Sequence, residues 1–79
     1  MVKLGNKIKP MEINWVDGFS IKVKVDSGNV VISANKEGLL SLASQLKTLA
    51  DESVGSHCHY DEYNSLEDGS CELIIEKIE

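Results

Sequence analysis

The hydrophobic period of the chain changes once, at Asn35, and this change constrains the fold more than any other feature. Before Asn35, apolar residues alternate with polar ones, most regularly over residues 19–25, where every odd-numbered residue is apolar. Such alternation is typical of a half-buried β-strand, so these residues, Val25 included, are predicted to face the core. After Asn35, apolar residues recur at helical spacing: Leu39, Leu42, Ala43, Leu46, Leu49 and Ala50. The chain is therefore predicted to form strands and then to pack one amphipathic helix on them.

Turn and cap residues set the predicted boundaries of these elements. Asp17 and Gly18 favour a two-residue hairpin turn in which both residues have positive φ. Asn35 is a good N-cap because its side-chain oxygen can accept a hydrogen bond from a free backbone N–H. The helix is predicted to fade near Glu52, with Gly55 as its C-terminal stop.

The predicted fold class is α+β, with an antiparallel sheet of four to five strands and one α-helix packed on one face. The element order is β-β-β-α-β-β. The predicted strands cover residues 11–16, 19–25, 30–34, 57–61 and 70–78. Residues 1–79 are expected to form a single domain, in which residues 1–10 are either a flexible arm or an edge strand.

The charge of the chain is unevenly distributed. Residues 1–50 contain seven lysines and four acids, a net +3, whereas residues 51–79 contain one lysine and nine acids, a net −8. The chain contains no arginine. Nucleic-acid binding needs clusters of basic residues at the phosphates, so no nucleic-acid partner is expected. An acidic surface instead attracts basic proteins, although acidity also simply keeps small proteins soluble.

No segment of the sequence has the pattern of a targeting or membrane segment. The lysine-dotted N-terminus lacks the apolar region of a signal peptide, and no run approaches the ~20 apolar residues of a membrane span. The expected location is therefore the cytoplasm, with no membrane partner. In a reducing cytosol, Cys58 and Cys71 are expected to remain free thiols.

His57, His59 and Asp61 form the pattern closest to a metal site. Residues two apart in a strand project from the same face, so these side chains can approach one zinc ion. Structural zinc needs four ligands, and a fourth would have to come from elsewhere, such as Glu62 or Cys71. The sequence therefore predicts that the protein binds no metal and no cofactor. The alternative is a metal site formed by His57, His59 and Asp61. Because Cys58 points away from its neighbouring histidines, nucleophilic catalysis by its thiol is not expected.

Two tyrosines lie among the acids of the same segment. Tyr60 has the opposite parity to the histidines and is predicted to be buried, whereas Tyr63 is predicted to be exposed. Tyrosines beside carboxylates are typical of protein-binding surfaces, because tyrosine supplies contact area and the acids meet basic partners. The predicted partner-binding residues are Asp61, Glu62, Tyr63, Glu67 and Asp68. No catalytic residue is predicted.

The second half of the chain resembles a known family in three stretches: residues 32–43 (ISANKEGLLSLA), 59–70 (HYDEYNSLEDGS) and 72–77 (ELIIEK). The family is that of small α+β immunity proteins of bacterial polymorphic toxin systems, and the resemblance covers about residues 30–78. It implies an inhibitor that binds a co-encoded toxin and protects the producing cell, with no cofactor and no reaction. The family pattern of His-x-His before an acidic stretch is matched by His57, His59, Asp61 and Glu62.

The leading prediction is therefore a non-enzymatic binding module, an immunity protein that neutralises a basic toxin domain through an acidic surface. Two alternatives stay open: a small metal-binding protein that uses His57, His59 and Asp61, and a homodimeric accessory protein of another role. A homodimer is plausible physically because a core of this size leaves a net stability on the order of 3–5 kcal/mol. One helix also covers only one sheet face, and the other is then free for a partner.

Overall fold

The structure is a computed structural model that describes residues 14–79. The described elements are β1 (Ile21–Asp26), β2 (Asn29–Ala34), α1 (Lys36–Ala50), β3 (His57–Tyr60) and β4 (Leu73–Glu76). The predicted α+β class is confirmed. The predicted single sheet is not confirmed, because these strands pair as two antiparallel two-stranded sheets, β1 with β2 and β3 with β4.

The hairpin between β1 and β2 turns at Ser27 and Gly28. Both residues have positive φ, 51° and 83°, as a type I′ turn requires. The twist of a type I′ turn matches the twist of the two strands, so the register closes with Asp26 opposite Asn29.

The hairpin turn predicted at Asp17 and Gly18 is wrong in type. Only Gly18 of this pair has positive φ, 84°, and Phe19 N–H donates to Val16 O at 3.1 Å. This is the pattern of a type II turn, which does not suit the twist of a hairpin. Residues 14–16 accordingly form no strand. The rest of the strand predicted there, residues 11–13, and the arm or edge strand predicted at residues 1–10 lie outside the described residues.

The segment of residues 67–71 joins the two sheets. The backbone N–H groups of Glu67 and Cys71 donate to the carbonyls of Ile21 (2.9 Å) and Val23 (2.8 Å). The Val23 N–H in turn donates to Ser70 Oγ at 3.1 Å. The chain leading into β4 therefore lies along the edge of β1 that β2 leaves free, which satisfies that edge and fixes one sheet against the other.

Asn35 caps α1, as predicted, and also ties the helix to the turn before β1. Its Oδ1 accepts from the backbone N–H of Gly38 (2.8 Å) and of Ser20 (3.0 Å), and its Nδ2 donates to Gly18 O (2.9 Å). One side chain thus satisfies a free helical donor and holds residues 18–20 against the helix start.

The buried face of α1 differs from the predicted one by roughly a quarter of a turn. The buried residues are Gly38, Ser41, Leu42, Gln45 and Leu49. Leu39, which was predicted to lie on the core stripe, is 55% exposed, and Leu46 is also exposed. The rotation follows from polar contacts, since Ser41 Oγ accepts from Val16 N–H at 2.8 Å and Gln45 Nε2 donates to Asn14 O at 2.8 Å.

The core lies between α1, β1 and β3. It consists of Ile21, Val23, Leu42, Leu49, Cys58, Tyr60 and Leu66, with Trp15, Phe19, Ala34, Leu73 and Ile75 packed partly buried against it. Val25 is 61% exposed, so its predicted place in the core is wrong. It pairs with Val30 at the turn end of the hairpin, beyond the part of β1 that is buried.

The helix ends at Ala50, two residues before the predicted fade, and Lys77 covers its C-terminus. The Lys77 ammonium donates to Ala50 O and Glu52 O, both at 2.7 Å. A cation at this end is favoured by the helix dipole. Gly55, the predicted stop residue, has a φ of 95°, and its backbone N–H donates to Lys77 O. The chain therefore runs beside the residues that follow β4 from Gly55 onward. Among residues 14–79, no helix has the length and apolar character needed to cross a membrane.

Candidate functional site

The residues between β3 and β4 form an ordered loop built on Asp61. Its main-chain oxygen accepts from the backbone N–H groups of Ser65 (3.0 Å) and Leu66 (2.8 Å). Its Oδ1 accepts from the N–H groups of Tyr63 (2.9 Å) and Asn64 (3.0 Å). Leu66 is buried in the core and anchors the loop to it. We call residues 61–69 the acidic loop.

The acidic loop contains all five predicted partner-binding residues, and four of them project into solvent. Tyr63 is 95% exposed, and Glu62, Glu67 and Asp68 are exposed. The Glu62 carboxylate accepts from Gly69 N–H, which draws the two ends of the loop together. Asp61 is half-buried with one carboxylate oxygen committed to the loop, so its visible role is to shape the surface.

The carboxylates of the acidic loop form no ion pair with a lysine of residues 14–79, although Lys22 shares the neighbouring depression with Glu67 and Asp68. Lys77, which is the one lysine of residues 51–79, is bound to helix carbonyls. Within residues 14–79, no lysine lies within ion-pair distance of a carboxylate of the same residues. The exposed carboxylates therefore present negative charge to solvent, as a surface for a basic partner requires.

A depression of about 650 Å³ lies beside the acidic loop. It is lined by Ser20, Lys22, Ser33, Ala34, Asn35, Glu67 and Asp68. Two carboxylates of the loop thus share a wall with the outer face of β1 and β2 and with the helix N-cap. The depression offers polar groups and room for side chains of a partner that contacts the loop.

The two histidines of β3 share its outward face, opposite the buried Cys58 and Tyr60, as their parity predicts. His59 Nε2 lies 3.3 Å from Glu72 Oε2 and 3.9 Å from Asp61 Oδ2. His57 is not part of this group and instead lies opposite Glu76 in the β3–β4 register. The structure thus brings His59 and Asp61 together but replaces the predicted His57 with Glu72.

Glu72 was missed because its position depends on pairing between distant parts of the chain. The register sets His59 opposite Ile74. Glu72 precedes Ile74 by two residues, so it projects on the same side of the chain, diagonal to His59. Only the register of β3 on β4 reveals this neighbour.

Both cysteines are free, with Cys58 buried and Cys71 exposed. Cys58 lies in the core beside Tyr60, whose hydroxyl donates to Gln45 Oε1 at 2.7 Å. Burial raises the pKa of Tyr60 well above its ordinary value, and Cys58 raises it further. This face of β3 therefore packs the core, while the two histidines lie on the exposed face.

Comparison with known proteins gives one family match. The model of the family described as Immunity protein 32 matches residues 29–78, which is more than half of the chain. The matched range contains β2, α1, β3, β4 and the whole acidic loop. No curated protein and no solved structure matches the chain significantly.

Proposed function

Because the chain belongs to the Immunity protein 32 family, we propose that it neutralises a cognate bacterial toxin by binding it through the acidic loop. Family membership indicates the toxin-neutralising role and is the main support for it. The protein then acts as a non-enzymatic inhibitor in the cytoplasm of the producing bacterium, and its partner is a basic toxin domain.

The charge of the acidic loop supports a basic partner. Toxins that act on nucleic acid or other anionic substrates carry basic clefts, and a carboxylate surface can cover such a cleft in place of the substrate. The loop presents Glu62, Glu67 and Asp68 on a frame held by Asp61, so little ordering entropy is lost on binding. We therefore expect fast, salt-sensitive association.

Tyr63 supports the loop as the contact centre. A tyrosine that is 95% exposed contributes little to the fold, yet its backbone N–H is held by the Asp61 carboxylate. Tyrosine is enriched among the residues that dominate interface energies, where truncation costs about 2 kcal/mol or more. We therefore expect Tyr63 to enter a pocket on the toxin.

The first experiment identifies the toxin and asks whether this protein protects against it. The gene adjacent to the one that encodes this chain is examined for a toxin domain, and the two genes are then co-expressed in bacterial cells. Survival of cells that carry both genes supports the proposal. If no toxin gene lies nearby, or if this chain gives no protection against the neighbouring toxin, an accessory protein is favoured instead.

The second experiment tests the surface. Glu62, Glu67 and Asp68 are changed together to lysine, and association with the toxin is measured against salt concentration. The matched control changes Asp17, Asp26 and Glu79 to lysine, which alters net charge equally at exposed positions outside the loop. The loop variant should lose affinity and salt dependence, whereas the control should keep most of both. Equal behaviour of the two variants would contradict the assigned surface.

A variant without a charge change separates contact from long-range attraction. Tyr63→Ala should weaken toxin binding more than ten-fold while leaving thermal unfolding unchanged, since its ring packs on nothing in the fold. Unchanged toxin affinity would remove Tyr63 from the contact.

We also propose that the free protein forms a homodimer through the flank of α1. Leu39 and Leu46 are exposed on this flank, beside the buried stripe, and give an apolar strip without a described partner among residues 14–79. Light scattering of the purified protein should give twice the chain mass, and Leu46→Lys should return it to a monomer. A monomer at all concentrations would contradict the dimer.

A further inference from the structure

We propose that His59, Asp61 and Glu72 form a binding site for a divalent metal ion, with Zn²⁺ as the preferred ion. The site lies on the outer face of β3 and β4. The proposal rests on the geometry of these side chains and not on the toxin-neutralising function. The three ligand atoms lie within 4.8 Å of one another.

The spacing of the three side chains is close to that of metal ligands. Ligand atoms at about 2.1 Å from a tetrahedral zinc ion stand about 3.4 Å apart. His59 Nε2 and Glu72 Oε2 are 3.3 Å apart, and His59 Nε2 and Asp61 Oδ2 are 3.9 Å apart. Small rotations of the exposed His59 and Glu72 side chains therefore suffice to close the three atoms around one ion.

The backbone fixes each ligand's position. His59 lies in β3, and Glu72 directly precedes the strand that pairs with it. Asp61 Oδ1 is held by the N–H groups of Tyr63 and Asn64, which leaves Oδ2 directed at His59. Outer hydrogen bonds of this kind orient a carboxylate for coordination by one oxygen.

The charge of the group favours a cation. The Asp61 and Glu72 carboxylates meet in one group, and no lysine of residues 14–79 lies within ion-pair distance of them. A divalent ion removes this repulsion. A mixed set of one imidazole and two carboxylates suits Zn²⁺ better than Mg²⁺ or Ca²⁺, which prefer oxygen ligands alone. The fourth position stays open for water or for a side chain of a binding partner.

The test measures Zn²⁺ binding by calorimetry on protein without a histidine tag. The expected result is saturable binding of one ion per chain. His59→Ala and Glu72→Gln should each lower the affinity more than about ten-fold, because even outer-shell changes cost 10–100-fold. His57→Ala is the matched control, since it removes an imidazole from the same face of the same strand. This control should bind Zn²⁺ like the wild type.

A second control and a spectroscopic measurement distinguish this site from zinc bound by the nearby thiol or by His57. Cys71→Ser removes the exposed thiol beside Glu72 and should leave binding unchanged. On addition of Zn²⁺, the imidazole NMR signals of His59 should shift and those of His57 should not. Lack of saturable binding would overturn the proposal, as would equal losses in the His57 and His59 variants. Either result would leave the toxin proposal intact, because protection in cells is measured separately.

Discussion

Replacing Gly38 with alanine tests how closely α1 approaches the first hairpin. At an exposed helical site, alanine is more stable than glycine by about 1 kcal/mol. At Gly38, however, the added methyl carbon would lie 2.6 Å from Ser20 O, 2.9 Å from Ile21 Cγ1 and 3.2 Å from Ala34 Cβ. The nearest atom is a backbone oxygen that already accepts from Asn35 N–H at 3.1 Å, so it cannot yield without disturbing the helix cap.

The two effects oppose each other, and their magnitudes decide the sign. Overpacking a close contact costs about 1–3 kcal/mol, and two contacts below 3.0 Å place this site at the upper end. After the gain in helix propensity, Gly38→Ala should lower the free energy of unfolding by about 2 kcal/mol. Urea unfolding followed by circular dichroism measures this difference, with the slope of the transition unchanged.

The control is the reverse substitution on the exposed side of the same helix. Ala43→Gly should also destabilise, by about 1 kcal/mol, because Ala43 is exposed and only helix propensity changes. Glycine to alanine at residue 38 and alanine to glycine at residue 43 should thus both lower the free energy of unfolding. A Gly38→Ala variant more stable than the wild type would refute the close approach and the rotated face of α1.

Three further substitutions test the remaining contacts. Asn35→Ala removes the cap and its ties to the preceding turn, and should cost about 1–2 kcal/mol in urea unfolding, whereas Asn35→Asp should keep most of the cap. Lys77→Met removes the two hydrogen bonds to the Ala50 and Glu52 carbonyls and should lower the free energy of unfolding by about 1 kcal/mol. Lys77→Arg keeps the positive charge and, measured at low salt, should lower it by less. Tyr60→Phe leaves a buried amide oxygen without its donor and should cost about 1–3 kcal/mol. The raised pKa of Tyr60 adds a pH dependence: the folded chain keeps the proton that the unfolded chain loses near pH 10.0, so stability is full below that pH and falls above it. Unfolding measured from about pH 8 to 11 should show this fall in the wild type and a flatter curve in Tyr60→Phe. A fall of equal size in both proteins would contradict the burial of this phenol.

Residue patterns of short range determined a large part of this protein. The change of period at Asn35 determined the strand-then-helix order and the cap, because alternation and capping depend on residues a few positions apart. The parity of β3 determined that Tyr60 is buried opposite the exposed histidines, since successive strand residues face opposite sides. The resemblance over about residues 30–78 likewise agrees with the family match over residues 29–78.

Only the tertiary structure decided which faces and which partners these elements use. Apolar spacing placed Leu39 on the core stripe of α1, but the close contact at Gly38 and the polar bonds of Ser41 and Gln45 rotated that face. Glu72 joined His59 through the register of two strands separated by the acidic loop. Such contacts depend on how distant segments pair when the loop between them closes, and on the shape of the surface against which an element packs. A pattern of neighbouring residues contains no information on either.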